Sequence, residues 1–68
     1  MISYMYLNGI LFLLFRDTSG EDHFVNFQQI ACMSKYDKDS TLIGLSTSGS
    51  IIVNEDLNTI LKKIQNIS

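Results

Sequence analysis

Leu7-Asn8-Gly9-Ile10-Leu11-Phe12-Leu13-Leu14-Phe15 is the stretch that decides how this chain folds. Asn8-Gly9 lies between two apolar runs, Ile2 to Leu7 and Ile10 to Phe15, and both turn residues accept the positive φ that a tight hairpin turn demands. The reading is strand, turn, strand. Successive side chains on a strand point to opposite faces, so Ile10, Phe12 and Leu14 face one way and Leu11, Leu13 and Phe15 the other. A sheet covered on one face alternates apolar and polar residues. This strand is apolar on both sides and needs cover on both.

The remaining segments are short. Asp17 to Asp22 forms a polar loop, His23 to Asn26 a strand, and Phe27-Gln28-Gln29 a turn into a strand from Ile30 to Tyr36. Asp37 to Ser40 is a second polar turn, Thr41 to Thr47 a strand, Ser48-Gly49 a two-residue hairpin turn and Ser50 to Val53 the returning strand. Then the period changes. Leu57, Ile60, Leu61 and Ile64 fall on one face of a helix, with Asn54 as the expected N-cap, Glu55 and Asp56 in the first turn, and Lys62 and Lys63 near the end. The expected fold class is α+β: a single small domain over residues 1–68, with a small antiparallel sheet or partly closed β-barrel of five or six short strands and one C-terminal amphipathic helix.

One helix covers one face of so small a sheet. The other apolar face predicts a homo-oligomer, with Tyr4, Tyr6, Leu11, Leu13 and Phe15 as interface residues. The alternative is that the strands curl into a barrel and bury both sets internally. Size favours a partner. At 68 residues the chain buries only about 60% of the surface its unfolded form exposes. One cysteine excludes an internal disulfide, and one histidine leaves a zinc site without its ligands.

Composition narrows the partner class. The chain is 46% hydrophobic and 18% charged, with seven acidic and five basic residues and a net charge of -2. Dedicated nucleic-acid binders carry a basic stripe, whereas Arg16, Lys35, Lys38, Lys62 and Lys63 are scattered. Residues 1–15 carry no charge, but no basic segment opens the run, Arg16-Asp17-Thr18 replaces a small-residue cleavage site, and Asn8-Gly9 splits a stretch shorter than the ~20 residues a bilayer requires. A membrane segment is not expected. One unpaired cysteine and no targeting segment suit a reducing cytoplasm.

No catalytic set emerges. Asp17, Glu21, Asp22 and His23 are the densest potential ligands, yet Thr18-Ser19-Gly20 breaks the alternating spacing of a calcium loop. Cys32 with His23 lacks an orienting third group, and Ile30-Ala31-Cys32-Met33 reads as core. No glycine loop cradles phosphate. Neither enzymatic activity nor a cofactor or metal is expected. Arg16, His23, Lys35, Tyr36 and Lys38 are the candidate partner contacts. The main expectation is a self-associating adaptor that binds a protein. Its alternative is a nucleic acid or small regulatory nucleotide held at a subunit interface, with the tyrosines as stacking platforms.

Leu7-Asn8-Gly9, Phe24-Val25-Asn26 with Ile30, Thr41 to Leu45, Gly49, Ile52-Val53, Glu55 and Ile60 to Ile64 also follow one another in an order that resembles the small FlbD-type flagellar proteins. Leu14 to Glu21 looks like an insertion in that pattern, and Asp56 stands where the family often has serine. The resemblance implies a compact strand-rich fold with a final helix, no catalysis and an accessory or adaptor role. An accessory protein of a phage or mobile element is the equal alternative to that origin.

Overall fold

A computed structural model of the chain describes residues 3–47 and 49–67. Strands β1 (Ser3–Leu7), β2 (Ile10–Arg16) and β3 (Asp22–Asn26) form one three-stranded antiparallel sheet in that order. A single 3-10 turn, Phe27–Gln29, leads into β4 (Ile30–Asp37), β5 (Ser40–Leu45) and β6 (Ser50–Val53), a second three-stranded antiparallel sheet. Helix α1 (Leu57–Gln65) closes the chain. The α+β class holds, and the protein is mostly β.

The Asn8-Gly9 hairpin is as expected: φ is +52° at Asn8 and +79° at Gly9, so both central residues are left-handed. Ile2, which the sequence placed in the first strand, and Ser48 of the second hairpin turn lie outside the described residues. The second turn is wider than the expected two-residue Ser48-Gly49 turn: β5 ends at Leu45 rather than Thr47, Gly44 lies opposite Ser50, and Leu45 N–H donates to the Gly49 carbonyl at 3.2 Å, with Gly49 at φ +81°.

Past Leu14, the side of β2 that faces β1 is taken over by β6. Asn54 N–H donates to the Arg16 carbonyl at 3.0 Å, Thr18 N–H donates to the Ile52 carbonyl at 3.1 Å, and Asp17 bridges Val53. The two sheets therefore join at one corner. They are not closed into a barrel, because β3 and β4 follow one another through the 3-10 turn without pairing.

Leu13, Phe15 and Val25 from the first sheet, Ile43 and Val53 from the second, and Ile60 from the helix form the core. Leu11, Ile30, Met33, Ile64 and Ile67 pack around it. This corrects one expectation. Leu13 and Phe15, placed on an assembly surface by the sequence reading, are 0% and 2% exposed in the chain's own core, and Leu11 packs against it. The second sheet and the helix both close on that face of β2, so it is the inner one.

The helix also starts later than expected. The chain is still hydrogen-bonded to β2 at Asn54, which leaves Asp56 as N-cap; its carboxylate accepts from Thr59 N–H at 3.3 Å. Ile60 is fully buried while Leu61 is 40% exposed, so the helix seam is narrower than its apolar spacing suggests.

Candidate interaction surface

Antiparallel partners share a face, so the register of the first sheet sorts its side chains. Met5 pairs with Phe12, Leu7 with Ile10, Phe24 with Leu14, and Asp22 with Arg16. All lie on the face turned away from the core. Its centre is the half-buried stripe Ile10, Phe12, Leu14; Met5 and Leu7 flank it on β1 and Phe24 on β3, at 41, 53 and 57% exposure. Isolated exposed apolar residues are ordinary, but a contiguous patch marks a contact surface. Its polar rim is Asn26 and, at one end, Arg16 with Asp22.

β2 is apolar on both sides, but the side carrying Leu11, Leu13 and Phe15, expected to be the exposed one, is the covered one. Tyr4 and Tyr6 share the inner face with Leu13 and Leu11, their register partners, yet lie on the edge strand at 50 and 58% exposure. Their rings meet edge to face, 6.2 Å apart at 88°. Tyr4 also lines a recess of about 210 Å³ with Lys63, Asn66 and Ile67 at the helix end.

Met5, Leu7 and Phe24 were missed. A signal for them exists in β3, where Asp22 and Asn26 flank Phe24 while His23 flanks Val25. The parity with two polar positions is the outward one, and Phe24 shares it.

The candidate contact residues do not converge. Arg16 Nε donates to Asp22 Oδ1 at 2.9 Å. Hydrogen bonding to Asp22 raises the arginine pKa, and the guanidinium lowers that of Asp22. His23 Nε2 is 2.8 Å from Asp17 Oδ2. Lys35 and Lys38 share a recess with Asp37 and Asp56 at the β4–β5 turn, where Tyr36 is 58% exposed. Arg16, Lys35 and Lys38 thus each have an acid nearby.

Asp17, Glu21 and His23 do bring possible ligand atoms within 4.8 Å of one another. Asp17 Oδ1, however, accepts from Ser19 N–H, Ser19 Oγ–H and Glu21 N–H, at 2.9, 2.7 and 2.9 Å. Together with the His23 contact these bonds use both carboxylate oxygens to hold the loop, and they keep the Asp17 carboxyl far below the usual range, Ser19 first. Cys32, expected in the core, is exposed on the outer side of β4; a Cβ on Gly44, its register partner, would lie 2.7 Å from its Sγ. No described helix is long and apolar enough to cross a membrane. No protein-family model, curated protein or solved structure matches the chain.

Proposed function

We propose that this chain is a non-catalytic adaptor that self-associates and binds a protein partner, offering the outer face of β1–β3 to that partner. The observation that carries the reading is the apolar face of Met5, Leu7, Ile10, Phe12, Leu14 and Phe24, turned away from the core, half-buried along Ile10, Phe12 and Leu14 and exposed at Met5, Leu7 and Phe24. Burying one such side chain fully is worth about 1.5 to 3 kcal/mol. The partner this fits presents an apolar patch with a neutral polar rim, since Arg16 and Asp22 neutralise one another at the end of the face. The resemblance to FlbD-type proteins points the same way, to an accessory role, and the exposed unpaired thiol of Cys32 suits a reducing cytoplasm.

A nucleic acid or nucleotide at a subunit junction has less support, because Arg16, Lys35 and Lys38, the cations it would use, sit beside carboxylates. The test compares affinity capture by the native chain with capture by Phe24→Lys. A partner retained by the first and lost by a folded Phe24→Lys supports the reading. A partner held equally by both removes the outer face from it.

A further inference from the structure

We infer that β1 pairs antiparallel with β1 of a second copy, centred on Met5, so that two first sheets become one continuous sheet. The inference deepens the self-association half of the proposed function and rests on it. Edge strands present unpaired backbone groups, and proteins usually blunt them with charges, proline or bulges. β3 carries Asp22 and His23, and β4 carries Lys35 and Asp37 and is interrupted by register shifts between Ile30 and Cys32 and between Lys35 and Asp37. β1, Ser3-Tyr4-Met5-Tyr6-Leu7, has no charge, proline or bulge, and pairs among the described residues with β2 alone.

The geometry of the hairpin fixes which backbone groups are free. In a two-residue hairpin the residues flanking the turn exchange both hydrogen bonds, and hydrogen-bonded and non-hydrogen-bonded pairs then alternate. Leu7 and Met5 therefore turn their N–H and C=O toward β2, and Tyr6 and Tyr4 turn theirs outward. Pairing β1 with itself over its full length sets Tyr4 opposite Tyr6 of the second copy, Tyr6 opposite Tyr4, and Met5 opposite Met5. The outward donors and acceptors of both tyrosines then fall opposite one another, with Met5 as the non-hydrogen-bonded pair on the twofold axis. No like charges meet.

The side chains agree with this register. Tyr6 is 58% exposed on the inner face, its ring edge to face with that of Tyr4. In the paired sheet Tyr6 of the second copy stands next to Tyr4, at the recess that Tyr4 forms with Lys63, Asn66 and Ile67. Cross-strand aromatic pairs are among the more favourable contacts a sheet makes. On the opposite side, Met5 meets Met5, and the two outer apolar faces merge into one partner-binding surface.

The experiment is cysteine crosslinking in a Cys32→Ser background, read beside the solution mass. A non-hydrogen-bonded antiparallel pair has its Cα atoms about 4.5 Å apart, within the ~4.4–6.8 Å that a disulfide spans. Met5→Cys is expected to form a crosslinked dimer under mild oxidation, and Leu7→Cys and Phe24→Cys are expected to remain largely uncrosslinked. Tyr6→Pro removes one outward N–H, on an edge strand where proline is tolerated, and is expected to give a folded monomer. A dimeric native chain that crosslinks through Phe24→Cys or Leu14→Cys but not Met5→Cys overturns the edge pairing and leaves self-association standing. A native chain that is monomeric at every concentration overturns both. So does a monomer whose partner capture is lost in Tyr6→Pro, which would assign the β1 edge to a strand of the partner.

Discussion

Asp17 and His23 meet at 2.8 Å, Oδ2 to Nε2, across the loop between β2 and β3, and the aspartate's other oxygen ties the same loop to Ser19 and Glu21. The carboxylate reinforces a turn the backbone already makes, in which Gly20 N–H donates to the Asp17 carbonyl at 3.0 Å and Gly20 takes φ +92°. A helix or a strand of either sheet would satisfy these backbone groups by itself; in the five-residue connection from Asp17 to Glu21 the Asp17 side chain accepts from Ser19 N–H and Glu21 N–H.

Acid should loosen the protein through this group. The folded pKa of Asp17 lies well below its ordinary 3.8, so its contribution is fully present above that value and is lost as pH falls toward the folded pKa. Asp22 and Asp56 are shifted the same way, by Arg16 and Thr59 respectively. Thermal unfolding followed by circular dichroism should show Tm steady around neutral pH and falling below about pH 4. Asp17→Asn should remove part of that slope, and an unchanged slope would contradict the assignment.

The helix should divide sharply between adjacent positions. Ile60 is fully buried, so Ile60→Ala should cost about 2 to 5 kcal/mol, enough to unfold much of so small a domain. Leu61 is 40% exposed, and Leu61→Ala should cost under about 1 kcal/mol. Denaturant titration of both variants distinguishes this seam from the wider one that apolar spacing alone implies.

Capping gives a second contrast. Asp56→Ala should lose about 1 kcal/mol, because its carboxylate accepts from Thr59 N–H, whereas Asn54→Ala should be nearly neutral, since Asn54 joins β2 through its backbone. Equal losses in chemical denaturation would place the helix start back at Asn54.

Much of the architecture is legible in the residues. Asn8-Gly9 specifies the first hairpin because few residue pairs accept two left-handed conformations, and the apolar period after Val53 specifies the helix. Which face of β2 is inner is not legible from β2, since Phe12 and Leu13 are equally good core residues. That choice is made by long-range contacts from Ile43, Val53 and Ile60. The burial of Cys32 was misread for a related reason: an apolar run predicts a strand, while the side of the strand that meets the core depends on the register with β5. Asp56 as N-cap was hidden because β6 stays bonded to β2 through Asn54, a contact between residues far apart in sequence.

The outer face should respond to charge without harm to the fold. Phe24 is 57% exposed, so Phe24→Lys should leave Tm nearly unchanged while reducing binding of an apolar fluorescent dye and abolishing partner capture. Leu13→Lys, by contrast, buries an unpaired charge at a 0% exposed position and should not fold. Full dye binding by a folded Phe24→Lys would argue against the outer face as the contact surface.

The central claim is that this chain completes itself with a second copy. Light scattering on a size-exclusion column, across a concentration series, tests it most directly. A species of twice the 7.7 kDa chain mass that persists on dilution is expected. A single species at the chain mass, up to the highest concentration the protein tolerates, would contradict it.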